Sequence, residues 1–214
     1  MLELGAKTLI AYLLGTLLGS LILGRLRGVD IRRLGSGNAG ATNALRTQGR
    51  LFGLLVLVID VAKGVIAVRW LPNAALPGIA PDVQLSREWL TLACAAAVIV
   101  GHVYPVWFEF RGGKGAATVA GVVAGLDSRL LVPLFLGWLA VLLLSGYVGL
   151  ATMLSGVALI LAALYLFPND VPLLSFCAAV TCFIVYTHRS NIARMRAGQE
   201  HRVRRLWLFR SRAA

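Results

Sequence analysis

The sequence predicts an all-α, polytopic integral membrane protein of about seven transmembrane helices, with the N-terminus outside and the C-terminus cytoplasmic. Three observations predict it. Of 214 residues, 58% are hydrophobic and 14% charged, against roughly 45–50% and about 25% in soluble domains. Mean hydropathy is +0.80. Uncharged runs of membrane-crossing length recur along the chain, and the basic residues gather in a few connecting segments. A water-soluble chain of this composition would lack the polar side chains to cover its surface. That excludes a soluble enzyme, a disordered chain and a collagen-like fibre. The net charge of +12 sits mainly in residues 25–50, six Arg against Asp30, and 188–214, eight Arg against Glu200. So grouped, it reads as membrane topology rather than as a nucleic-acid-binding face.

A helix needs about 20 apolar residues to cross the bilayer, within a range of roughly 17–25. Thr8–Gly24 meets this without a charge, and with no cleavage site it reads as a retained first helix rather than a signal peptide. Leu51–Trp70 meets it while carrying Asp60 and Lys63, whose i, i+3 spacing predicts mutual pairing, a proton or ion path being the alternative. Trp89–Phe108 is the next span, with His102 and Pro105 near its end. Leu130–Pro168 is too long for one helix and divides at Ser145–Gly146; Val171–Thr187 follows. Gly115–Leu126 is short, yet only if it crosses do the basic segments 25–50, 109–114 and 188–214 share one side, which the positive-inside rule strongly prefers. Gly15-x3-Gly19 and Gly121-x3-Gly125 suit close helix packing. Cys94, Cys177 and Cys182 lie in apolar stretches without metal-like spacing and read as small buried hydrophobes.

Three polar clusters interrupt the apolar text, all on the predicted cytoplasmic side. Gly35–Arg46 combines three glycines with Ser36, Asn38, Thr42, Asn43 and Arg46. It is either a flexible connection or a loop that wraps its backbone around an oxyanion, with Arg46 supplying charge. Gly101–Pro105 and Phe110–Thr118 form the second cluster, in which Gly112, Gly113 and Gly115 surround Lys114 at the start of a predicted helix. Exposed N–H groups, a positive helix end and an ammonium make a phosphate site. Taken alone, GGKG fits an ordinary tight turn as well, and His102, about three helical turns before Lys114, fits an interfacial histidine. The third cluster is His188–Arg194 with Gly198, Glu200 and His201. On a continuing helix His188 and Asn191 share a face; the alternative is a solvated helix end. The stretch 202–214, with Trp207 and Phe209 among five Arg, reads as an interfacial tail holding anionic lipid.

Together these clusters resemble the three signature motifs of the PlsY family, bacterial acyl-phosphate:glycerol-3-phosphate acyltransferases. Ser36–Arg46 is similar to SxNxGATNxxR, Gly101–Thr118 to GHxxP followed by FxGGKG and a Thr, and His188–Glu200 to HxxNIxR with a downstream GxE. Asp60-x2-Lys63-Gly64 also resembles a feature of the family's second span. Each motif is modest; their order over nearly the whole chain is specific. Ala116 stands where the family often has Val, and the polar stretch Pro72–Arg87 is longer than the usual family loop.

The resemblance implies transfer of a fatty acyl group from acyl phosphate to the 1-hydroxyl of glycerol-3-phosphate, opening phospholipid synthesis with lysophosphatidic acid and phosphate as products. It implies one membrane-embedded acyltransferase domain over residues 1–201, followed by a basic cytoplasmic tail at 202–214, in the bacterial cytoplasmic membrane. Partners would be glycerol-3-phosphate, fatty acyl phosphate and membrane lipids, with no nucleic acid, metal or cofactor. Ser36, Arg46, Lys114, His188 and Asn191 would be the catalytic set. Gly112, Gly113, Gly115 and Thr118 around Lys114 would hold phosphate, and Asn38, Thr42 and Asn43 would orient glycerol-3-phosphate. His188 and Asn191 would position the attacking hydroxyl or contact phosphate. A His-x4-Asp dyad is absent, since Trp107, Ala193 and Leu206 stand five beyond the three histidines. The resemblance implies that a substrate phosphate oxygen takes the proton, with His188 as the competing base. The rival class is an organic-phosphate transporter using Asp60 and Lys63 as a coupling pair.

Overall fold

The computed structural model describes residues 1–203 and Leu208, so the remainder of the basic tail, including Trp207 and Phe209, lies outside the described residues. Ten α-helices make up the described chain: α1 Leu2–Gly15, α2 Gly19–Leu26, α3 Ala41–Gln48, α4 Arg50–Arg69, α5 Arg87–Val103, α6 Ala116–Leu126, α7 Leu131–Ser145, α8 Val148–Leu166, α9 Val171–Thr187 and α10 Arg189–Arg196. They fall into two compact units that meet in sequence between Asp127 and Ser128.

Four stretches are long and apolar enough to cross a bilayer: Arg50–Asn73, Arg87–Phe108, Ser128–Ser145 and Val148–Leu166. Two bent pairs, α1 with α2 and α9 with α10, raise the number to six if each is one span. Helix α6 has 11 residues, roughly 16 Å at 1.5 Å per residue, about half the hydrocarbon thickness.

The first span is not the single helix that Thr8–Gly24 predicts. Helices α1 and α2 meet at 47° across Thr16–Leu18, and the cause sits on α4. Lys63 Nζ donates to the carbonyls of Gly15 (2.8 Å) and Leu17 (3.1 Å). Asp60 Oδ1 accepts from the Gly19 N–H at 3.4 Å. The ammonium therefore lies at the negative end of α1 and the carboxylate at the positive end of α2. The two charges, 3.0 Å apart and almost wholly buried, cap both ends of the break as well as each other. The mutual pairing that their spacing predicts is present, with this added task.

Glycines set how closely the N-terminal unit packs. A methyl on Gly101 of α5 would run into the Tyr12 carbonyl and the Gly15 Cα of α1. Gly121 meets the Val61 backbone of α4, and Gly64 meets the Thr118 carbonyl of α6. The Gly15-x3-Gly19 pair is split by the break: Gly15 packs on α5 and Gly19 on Val56 of α4. Because backbone lies on both sides, Gly101→Val is expected to cost about 1–3 kcal/mol. A lower melting temperature in detergent, without loss of helical signal at low temperature, is the check.

The stretch Pro72–Arg87 is anchored on α1. Glu3 and Lys7 are each 3% exposed. Lys7 Nζ donates to Glu3 (2.8 Å) and to the Pro72 carbonyl (2.6 Å). The Arg87 guanidinium forks onto both Glu3 oxygens at 2.6 and 2.7 Å.

In the second unit α7 and α8 form a hairpin that turns at Gly146, φ 74°, where the sequence divides the long apolar run. Helix α8 packs on α9 where Gly156 accepts Thr181, whose hydroxyl donates to the Gly156 carbonyl at 3.2 Å. Cys94 and Cys177 are buried and Cys182 is exposed, all as free thiols.

Candidate active site

In the N-terminal unit, the loop before α3 is folded around one side chain. Asn43 is 2% exposed. Its Nδ2 donates to the carbonyls of Leu34 (2.9 Å), Asn38 (3.0 Å) and Ile31 (3.2 Å), and its Oδ1 accepts from the Ser36 N–H at 3.0 Å. Asn43 thus organises the loop from inside. Thr42 and Arg46, four residues apart on α3, lie on another face and are half-buried and exposed, while Ser36 is exposed. Ile31, Ala44, Phe52 and Val56 form the apolar base beneath α3. Ser20 Oγ, on α2, donates to the Ala39 carbonyl at 2.5 Å. The redirected α2 therefore holds the far side of the loop.

The second cluster turns back on α5 instead of extending beyond it. Gly112 N–H donates to the Val103 carbonyl (3.0 Å) and Gly113 N–H to the His102 carbonyl (3.1 Å). These two amides are committed to the turn, contrary to the expectation that they cradle phosphate directly. The donors suited to an anion are those further on, at the start of α6, which have no acceptors within their own helix. Gly115 caps α6 in the left-handed region at φ 90°, where a side chain is strained, and no side chain caps the helix. Thr118 Oγ1 in the first turn is buried and lacks a hydrogen-bond partner among the described residues. Lys114 is half-buried immediately before this turn. Positive helix end, ammonium and an unsatisfied hydroxyl together suit an oxyanion.

Arg32 joins the two loops. Its Nη1 donates to the carbonyls of Phe108 (3.1 Å) and Arg111 (3.4 Å), and its Nη2 pairs with Asp30 at 2.9 Å. Between those carbonyls Glu109 and Phe110 sit at φ 58° and 56°, costing on the order of 1–3 kcal/mol each for non-glycine residues. The guanidinium holds this turn closed. Asp30 is kept below the usual carboxylate range by Arg32, so the strap is complete above about pH 4 and loosens only as pH falls further. Arg32→Ala is expected to raise KM for a phosphate-bearing substrate about tenfold with the melting temperature nearly unchanged; initial rates and thermal unfolding on one sample check it. In the sequence nothing separates Arg32 from Arg33 beside it.

The third cluster belongs to the C-terminal unit. The helix does not continue through it: α9 ends at Thr187, and α10 departs at 52° with His188 at the bend. His188 and Asn191 stay adjacent because the Asn191 N–H donates to the His188 carbonyl at 2.8 Å. His188 Nδ1 lies 2.8 Å from the Ile184 carbonyl. A carbonyl only accepts, so Nδ1 carries a proton. Asn191 Nδ2 donates to Glu200 (2.8 Å), which also receives Arg194 Nε at 2.6 Å. Glu200 thereby orients Asn191, a task the sequence did not identify. Gly149 of α8 leaves room for the Asn191 amide.

All-helical membrane spans and glycine-rich loops equipped for phosphate define an integral membrane protein that handles an anionic substrate. Residues 6–198 match the family model described as glycerol-3-phosphate acyltransferase. A glycerol-3-phosphate acyltransferase of Aquifex aeolicus (strain VF5) is 39% identical over 194 residues, 90% of this chain and 95% of that one. One of Staphylococcus aureus (strain JH9) is 38% identical over 201 residues, covering 92% and 96%. The crystal structure of PlsY (YgiH), an integral membrane glycerol 3-phosphate acyltransferase in its glycerol 3-phosphate form, superposes with TM-score 0.79 at 34% identity, over 93% of this chain and 94% of that one. Its lysophosphatidic acid form gives 0.77. The chain belongs to the glycerol-3-phosphate acyltransferase family, and within it is of the PlsY type.

Proposed function

We propose that this membrane enzyme transfers a fatty acyl group from acyl phosphate to the 1-hydroxyl of glycerol-3-phosphate. The hydroxyl oxygen bonds to the acyl carbonyl carbon, the carbon–oxygen bond to phosphate breaks, and lysophosphatidic acid and inorganic phosphate leave. The observation that carries this is the likeness, over 93% of the chain, to a solved acyltransferase seen with glycerol 3-phosphate and with lysophosphatidic acid. Residues 1–201 make up the acyltransferase domain.

Lys114, Gly115, Thr118 and the first turn of α6 hold phosphate, with Gly112 and Gly113 shaping the turn. Ser36, Asn38, Thr42 and Arg46 face glycerol-3-phosphate and stabilise charge as it develops on the carbonyl oxygen. Asn43 keeps these groups in register. His188, through Nε2, and Asn191 contact phosphate or the attacking hydroxyl. The leaving group is phosphate, so it departs without strong protonation, and a substrate phosphate oxygen takes the hydroxyl proton. Replacing His188 by Gln should then lower turnover without abolishing it.

We read α6 as a seventh span, with the N-terminus outside and the basic segments 25–50, 109–114 and 188–214, and so the three clusters, at the cytoplasmic face of the bacterial inner membrane. There the lipidic donor arrives from the bilayer and glycerol-3-phosphate from water. The transporter alternative loses its main support, because Asp60 and Lys63 are occupied in capping the α1–α2 break. The test is reconstitution into liposomes with labelled glycerol-3-phosphate and acyl phosphate. Lysophosphatidic acid and phosphate released in equal amounts support the reading; folded protein that takes up the label without acylating it overturns it.

A further inference from the structure

We propose that His102 is a positioning residue, which transmits the placement of the buried Asp60–Lys63 pair to the turn that presents Lys114. The inference rests on the phosphate-binding role given to that turn above. His102 is 2% exposed. Its Nδ1 lies 2.9 Å from Lys63 Nζ. An ammonium only donates, so toward Lys63 Nδ1 acts as the acceptor, with Asp60 Oδ1 3.5 Å from the same atom. The other edge of the ring faces Gly113: a methyl there would run into Nε2, Cε1 and Cδ2 of His102. The His102 backbone carbonyl also receives the Gly113 N–H. The turn is therefore seated on the imidazole from above, while the ring is held from below by a lysine that is itself fixed.

Lys63 has three N–H groups and four acceptors around it: Gly15, Leu17, Asp60 and His102. Its hydrogen-bonding capacity is filled, which makes it an anchor for the ring and not a substrate ligand. The same lysine and Asp60 set the angle at which α2 leaves the break, and Ser20 on α2 holds Ala39. One buried charge pair thus registers both glycine-rich loops, the first through α2 and the second through His102. A sequence separation of 11 residues conceals the His102–Gly113 contact, because the turn reverses onto the end of α5.

The turn carries binding groups rather than the reacting atoms. Its displacement weakens ground-state and transition-state binding alike, which raises KM and leaves kcat nearly unchanged. His102→Ala is expected to raise KM for glycerol-3-phosphate or acyl phosphate at least tenfold, with kcat within about threefold. His102→Asn, which retains an acceptor near the Nδ1 position for Lys63 but loses the ring face, should show the same split and serves if His102→Ala does not fold. Gly113→Ala probes the contact from the other side: it should raise KM with His102 present, and less so in the His102→Ala background, where the ring is gone. Unchanged KM in the folded variants, equal Gly113→Ala effects in both backgrounds, or a fall in kcat alone would each overturn the proposal. Wild-type protein in the same assay separates the two readings. If it forms no lysophosphatidic acid, the proposed function fails; if it does and the variants match it, only the positioning role fails.

Discussion

Lys63→Met is expected to leave little folded protein, with a loss of about 3–5 kcal/mol in the N-terminal unit. The substitution leaves the Asp60 carboxylate, 0% exposed, without its ammonium, and Asp60 Oδ2 already has no hydrogen-bond partner among the described residues. It also removes the donor to two carbonyls that the interrupted helix has released. In a bilayer such carbonyls have no water to turn to. The double replacement Asp60→Leu with Lys63→Met is the informative control. Exchanging a buried ion pair for apolar residues is often neutral or stabilising, but here both helix ends at the break would stay uncapped. The double variant should therefore recover only part of the loss. Thermal unfolding of the single and double variants in detergent checks this, and full recovery by the double variant would show that the pair does not cap the break.

Lys114→Met is the second large effect, and it falls on activity. Lys114 precedes a left-handed glycine at the N-terminus of α6, whose first turn carries a buried hydroxyl without a hydrogen-bond partner among the described residues. Removing one partner of a buried, hydrogen-bonded charge pair typically costs about 2–5 kcal/mol of binding, roughly thirtyfold or more in affinity. We expect a drop of that order in kcat/KM, and only partial recovery in Lys114→Arg, whose planar fork replaces a compact charge. A melting temperature measured alongside distinguishes a damaged site from a damaged fold.

Much of this was legible in composition and spacing. The uncharged runs located the helices, and Ser145–Gly146 divided the long one where the structure turns. The three clusters marked the polar loops, and the resemblance supplied the glycerol-3-phosphate acyltransferase activity that the family comparisons bear out. What spacing alone could not reveal depends on contacts distant in sequence. Gly15 and Gly19 weaken Thr8–Gly24 locally, but the charges that cap the break lie some 45 residues later. Asn43 and Thr42 look alike as polar neighbours, yet the helix turns one toward the loop interior and the other away from it. Gly112 and Gly113 look like free anion donors until the turn reverses and the carbonyls at the end of α5 take their hydrogens. The bend at His188 has no proline or glycine to announce it.

The measurement that tests the central claim most directly is donor discrimination by purified, reconstituted protein. Acyl phosphate, acyl-CoA and acyl carrier protein would be offered separately with labelled glycerol-3-phosphate. The account predicts lysophosphatidic acid from acyl phosphate alone, with the product lost in Lys114→Met. Product from a thioester at a comparable rate would contradict the donor assignment and the phosphate-leaving chemistry built on it.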